Sequence, residues 1–234
     1  MSKLQVETIS HTNNTTGMTI NSSGVVSTPK QAGIYEHITT KVSTSNSELS
    51  GSTAASIRFQ DVFTTDYITY KLVIGWYGSA HTSGAHNISF RWMNGSSELT
   101  DANYRWHTQE MSVNTDSYIG NHNNGDDRFM LFRHLNDHDG SSEDTGLYGE
   151  IDMYGVIATV ISGSNTDRGS VYRPMMKADL VGYNETLGAY IRSQSFGRYN
   201  NGAADTNFTG FAFMGETGEY AGTYMSLFGL RVNA

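Results

Sequence analysis

The sequence predicts an all-β protein in which a short N-terminal β-arm precedes an antiparallel β-sandwich domain of jelly-roll-like character. Three observations carry that expectation. In Thr64–Tyr77, TTDYITYKLVIGWY, residues Ile68, Tyr70, Leu72, Ile74 and Trp76 share one face and Tyr67, Thr69, Lys71, Val73 and Gly75 the other, the period of a half-buried strand. Comparable apolar runs recur roughly every 10 to 20 residues after Ile57, with turn residues between them. No segment sustains apolar residues at i, i+3, i+4 and i+7 between plausible caps, so little helix is expected and a sandwich is favoured over a parallel sheet.

Composition agrees with that class and narrows the function. Among 234 residues there are 25 Gly and only 2 Pro, and 14 Tyr outnumber 10 Phe and 3 Trp, a balance suited to many short strands joined by turns. The formal charge is −8, with 15 Lys and Arg scattered among 23 Asp and Glu, so the chain lacks the basic footprint of a nucleic-acid binder. No stretch approaches the ~18 apolar residues of a membrane helix, and no membrane insertion is expected. The N-terminus, MSKLQVETIS, has neither a charged region with an apolar run nor a cleavage site, so the protein is expected to be made in a cytoplasm and not exported by the usual route. The absence of cysteine removes disulfides, thiol catalysis and cysteine-based zinc sites together.

Taken in order, residues 1–31 read as a separate arm. Leu4, Val6 and Ile9 mark one short strand, Met18 and Ile20 a second, and Val25 and Val26 a third, separated by the turn compositions HTNNTTG and NSSG. So few apolar residues cannot build a core, and the arm is expected to be ordered only against another chain or surface. Residues 32–56 read as a linker or long loop, rich in Ser and Thr, carrying at most a short strand around Ile34–Val42. Residues 57–234 form the sandwich domain. Its expected strands include Asn87–Met93, Tyr104–Gln109, a weak one at Tyr118–Ile119, and Arg128–His134 after a turn NHNNGDD. Later ones are Leu147 onward, bending at Gly155, then two strands over 170–183, Leu187–Ser193, Asn207–Met214 and Thr223–Val232. The last is apolar on both faces, with Met225 and Leu227 on one and Tyr224, Phe228, Leu230 and Val232 on the other. It is either a central strand of the chain or one buried against a neighbour.

The side chains capable of chemistry point away from catalysis. His134, Asp137, His138, Asp139, Glu143 and Asp144 crowd one loop, but DHDGSSED lacks the spaced acids, the central Gly and the terminal Glu of a calcium loop, and no metal or other cofactor is expected. Asp126 and Asp127 read as a turn before a strand. Glu150 and Asp152 share a strand face as a glycosidase pair would, yet such alternation is also what any solvent face shows. Neither a nucleophile elbow nor a phosphate loop is present, so no catalytic residue is assigned and the protein is not expected to be an enzyme. Trp76 and Trp92 fall on apolar faces and belong to the core. Trp106, with Tyr104 and His107, is the candidate platform for ligand contact.

Two stretches carry a family resemblance. LQVETISHTNNTTGMTINSSGVV resembles the short β-motif that opens many structural proteins of tailed bacteriophages, with its V-x-T-I, M-T-I and G-x-V elements in that order. The globular part is similar to domains that follow it: Phe63–Tyr67 leading into Tyr70-Lys71-Leu72-Val73-Ile74, a Gly-x-Ile-x-Met strand at Gly149–Met153, and the closing strand Ser226–Arg231. The resemblance implies a virion structural protein, a fibre-like or head-decoration appendage. On that expectation it assembles as a homo-oligomer, usually a trimer, docks on other capsid or tail proteins through its arm, and projects a β domain that can meet a host surface glycan.

Overall fold

The structure, a computed structural model, describes residues 8–10, 16–20, 26–27, 35–43, 56–76, 86–112, 118–135, 146–156, 174–184, 188–200, 208–215 and 223–231. Every described element is a strand or the turn beside one. Three short strands, β1 (Thr8–Ser10), β2 (Thr16–Ile20) and β3 (Val26–Ser27), form an antiparallel sheet of their own. The other strands are β4 (Tyr35–Ser43), β5 (Ser56–Phe59), β6 (Tyr67–Trp76), β7 (His86–Asn94), β8 (Ser97–Glu98), β9 (Tyr104–Ser112) and β10 (Tyr118–Asp126). They continue with β11 (Phe129–Leu135), β12 (Leu147–Tyr154), β13 (Met175–Asn184), β14 (Ala189–Tyr199), β15 (Gly210–Gly215) and β16 (Thr223–Arg231).

These make two antiparallel layers. The larger runs β4-β16-β6-β12-β13-β14-β9-β10, and the smaller runs β11-β7-β15-β5, with β8 folded back on β7. Among the described residues a single bridge, Leu135 with Asn184, ties one layer to the other. The fold is thus a β-sandwich with a broad sheet packed on a narrow one. Its core is aromatic and lies between them: Tyr70, Leu72, Ile74 and Trp76 of β6 face Phe59, Phe90, Trp92 and Phe211 of the smaller sheet, all buried.

The side of β11 turned from β7 is closed by side chains of the large sheet. The β11–β7 register slips between Met130 and Phe132, so Leu131 is an extra residue in the ladder, and both Leu131 and Phe132 become buried. The Leu131 carbonyl accepts from Ser193 Oγ at 2.8 Å and Ser195 Oγ at 3.0 Å on β14, and the Arg133 carbonyl accepts from Asn184 Nδ2 at 3.0 Å. Buried Glu110 of β9 takes the Arg133 backbone N–H. Its carboxyl is pushed up by burial, against which that N–H and the Arg133 charge pull the other way. These contacts satisfy backbone groups that a layer-to-layer contact would otherwise strand without water.

Buried phenols pin the turns. Tyr70 donates to the Thr64 carbonyl at 2.9 Å and accepts from its N–H at 2.7 Å, fixing the entry to β6; burial pushes this phenol up to about 12. Tyr104 likewise accepts from Trp92 N–H at 3.0 Å and donates to the Leu99 carbonyl at 2.9 Å.

Four expectations need correction. The strand near 34–42 is nine residues long and pairs with β16, so residues 35–43 belong to the sandwich rather than to a linker. Glu36 holds it there, accepting from Arg231 at 2.6 Å and Tyr67 at 3.1 Å. NHNNGD is not a turn but most of β10, an edge strand whose ladder to β9 needs no apolar residues. The two strands expected over 170–183 are, where described, the single strand β13. Ile68 is exposed, because the core begins only at Tyr70. The last strand is a central one, lying between β4 and β6, with Met225 and Leu227 inward and Tyr224 outward. The loop carrying Asp137, His138, Asp139, Glu143 and Asp144, the linker beyond Ser43, and Leu4, Val6 and Val25 lie outside the described residues.

An acid limb follows from three aspartates. Burial pushes Asp127 up, but Arg128 and Arg91 outweigh it and hold the carboxyl below the usual range. Burial also opposes Tyr199 and Asn103 at Asp101, where the hydrogen bonds win. Arg192 lowers Asp179 directly. A carboxyl depressed in the folded state lends stability that is complete above the unfolded value, 3.8, and is lost as pH falls through the folded one. Melting temperatures should therefore hold steady down to about pH 4 and fall steeply below it, and Asp127→Asn should flatten part of that fall. Thermal melts across the acid range check this, and an equally steep fall in Asp127→Asn would refute it.

Candidate functional site

The outer face of the large sheet carries the features that could meet a partner. Because the ladders β12–β13–β14–β9–β10 are in continuous register, outward side chains line up in rows across the strands. One row runs Asp152, Lys177, Phe196, His107 and His122; the next runs Tyr154, Met175, Arg198, Arg105 and Asn124. Between them lies an open groove of about 660 Å3, lined by the residues from Tyr154 to Asn124 together with Lys177, Phe196 and His107 and with Trp106, Met176 and Gly197.

The groove is cationic with apolar patches. Arg105 and Arg198 stand directly opposite one another on β9 and β14. Lys177 neighbours Phe196, whose ring is 45% exposed, and Met175 is 50% exposed. The acids at its border are committed elsewhere. Asp152 lies 3.4 Å from Lys71 Nζ and accepts from Tyr154, while Asp126 accepts from Trp106 Nε1 at 2.9 Å and Asn123 Nδ2 at 3.1 Å. Asp179 is held by Arg192 and by Gln194 at 3.1 Å.

Of the predicted contact residues, Trp106 and His107 line this groove and Tyr104 does not. Tyr104 is fully buried, its ring against Phe129 and Tyr199, so it belongs to the core. Trp106 is half-buried against the core, with its indole N–H donated to Asp126. Trp76 and Trp92 are core, as the pattern indicated. Glu150 and Asp152 share a face but meet over one ammonium, Lys71 Nζ, at 2.7 and 3.4 Å, an ion-pair cluster rather than a cleft between two carboxyls. Among the described residues, no group of three His, Asp or Glu side chains is placed to hold a metal ion.

Sequence reasoning missed Arg105, Lys177, Phe196 and Arg198. A second outward row also escaped it: Val42, Tyr224, Tyr148, Val181, Met111 and Tyr118 are all exposed and lie on one line across the sheet, interrupted by Gly75 and Arg192. Across eight strands that line is about 34 Å long, from a strand spacing of about 4.8 Å. No protein-family model, curated protein or solved structure matches this chain.

Proposed function

We propose that this chain is a non-enzymatic structural component of a tailed-phage virion, an appendage or decoration protein that docks through residues 1–31 and displays the β-sandwich. The observation that carries the reading is the separate sheet β1–β3. Its strands are three, five and two residues long and, among the described residues, share no ladder with the strands that follow. A sheet of that size is marginal alone and calls for a docking surface. The phage-like motif spans the same residues. Assembly into a homo-oligomer, a trimer by the same likeness, belongs to the proposal, and the exposed apolar row supports contact between copies. Such a protein would be made in the host cytoplasm and carried in the virion.

The test is reconstitution on particles stripped of the protein. Full-length chain should rebind, and chain lacking residues 1–31 should not; equal rebinding by both would sink the docking role.

The groove favours a second reading, a receptor- or glycan-binding module of a tail or head fibre. An open, partly aromatic channel on an exposed sheet face suits a surface polymer better than it suits catalysis. A glycan array on which the full-length protein binds nothing would remove this reading and leave the docking role untouched.

A further inference from the structure

We propose that the outer-face groove binds a carboxylate-bearing saccharide, with Arg105 and Arg198 clamping the carboxylate and Phe196 lying against the apolar face of the sugar ring. This rests on the glycan-binding reading and gives it a chemistry.

The arginine pair is the central observation. Residues directly opposed on antiparallel strands have Cβ atoms about 4.5–5.5 Å apart, where like charges are destabilising. Arg105 and Arg198 hold that relation on one exposed face, and neither has an ion-pair partner among the described residues. Yet acids outnumber bases by 23 to 15 in this chain. A neutralising carboxylate was available in composition, and among the described residues the acids bordering the groove, Asp152, Asp126 and Asp179, are engaged with Lys71, Tyr154, Trp106, Asn123 and Arg192 instead. Two guanidinium forks on opposed positions of neighbouring strands are the donor set that a planar carboxylate can accept from two sides.

The surroundings specify a sugar rather than a bare anion. Phe196 has no polar atom to satisfy, lies between Lys177 and His107 in its row, and keeps nearly half its surface in water. Exposed aromatics of this kind offer a flat apolar contact to a ring carrying C–H groups. Asn124 stands opposite Arg105 at the β10 edge, within the groove, and can exchange hydrogen bonds with hydroxyls. The volume, about 660 Å3, lies within the range of about 300–1,000 Å3 usual for small-ligand sites. A nucleic acid would also stack and pair with arginine, but the cations of the groove, Arg105, Arg198 and Lys177, form one cluster rather than the extended basic stripe that tracks a phosphodiester backbone.

The test uses the full-length protein and matched probes: oligogalacturonate with free or methyl-esterified carboxyls, sialyllactose against lactose, and a single-stranded oligonucleotide. Free carboxylates should bind about ten-fold or more tighter than their neutral counterparts, with the preference shrinking as salt is added. Arg105→Gln with Arg198→Gln should abolish that preference, and Phe196→Ala should weaken both members of each pair. Thermal melts separate binding from structural arginines: relief of the like-charge contact predicts an unchanged or raised melting temperature for each single variant. Equal binding of charged and neutral forms, a preference for the oligonucleotide, or melting temperatures lowered by several degrees in both arginine variants would each overturn the proposal. Binding of neutral sugars alone would leave the glycan reading standing without it, and no saccharide binding at all would remove both.

Discussion

Replacing Gly149 with alanine is expected to cost the sandwich about 4 kcal/mol or more, a large share of the roughly 5–15 kcal/mol that holds a domain folded. Gly149 lies in the middle of β12, paired with Ile74 on one side and Leu180 on the other. Its φ is 145°, a region that L side chains rarely adopt, and a Cβ built there would stand 2.1 Å from the Asp179 carbonyl oxygen. Backbone strain alone is worth about 1–3 kcal/mol. The clash adds to it, because the obstacle is main chain held in ladders to both β12 and β14 and cannot swing aside as a side chain could. Gly75 supplies the control: it sits one strand away, has no positive φ, and a Cβ there would meet nothing nearer than the Tyr224 carbonyl at 3.8 Å. Gly75→Ala should stay within about 1 kcal/mol of the natural protein. Thermal melts followed by circular dichroism should place Gly149→Ala lower by about 10 °C, taking about 2–4 °C per kcal/mol for a domain of this size. Similar melting of the two variants would show that β12 can move from β13 without penalty.

Where burial acts on one face of a strand, the sequence reads directly. Tyr70, Leu72, Ile74 and Trp76 are buried as their alternation indicated, and so are Leu147, Ile151 and Met153 of β12. Edge strands are harder to read. Both β4 and β10 have one neighbour and polar compositions, and their place is fixed by backbone ladders to β16 and β9, which leave no trace in hydropathy. On β14 the pattern misleads, because its inward residues include Ser193 and Ser195, which face the core to reach the Leu131 carbonyl. Phe196 therefore sits among the outward residues Tyr190, Arg192, Gln194 and Arg198, an exposed aromatic among mostly polar neighbours. The groove itself gathers residues around positions 105, 124, 154, 176 and 197, joined by the register of five strands. Register depends on every intervening loop and ladder, so spacing along the chain could not reveal it.

Truncating Phe211 to alanine should cost about 3–5 kcal/mol, because its ring is the hub of the aromatic cluster on the inner face of the smaller sheet. It stacks on Phe59 at 4.6 Å and 13° and on Phe90 at 5.1 Å and 14°, with Phe63 at 6.0 Å, and no part of it reaches solvent. Such ring pairs add about 0.5–1.5 kcal/mol beyond their buried area. The strand that carries it has little room to relax, since β15 is paired on both sides, to β7 and β5, and its opposite face is closed by a cluster of Met93, Ala212 and Met214. The cavity should therefore persist and draw the full penalty rather than collapse. Phe196→Ala removes the same atoms from the outer face and should change stability by no more than about 0.5 kcal/mol. Denaturant unfolding of the two variants measures the contrast between a phenylalanine that builds the core and one exposed on the outer face. A loss at Phe196 equal to that at Phe211 would assign its ring to packing and take away its place in the ligand groove.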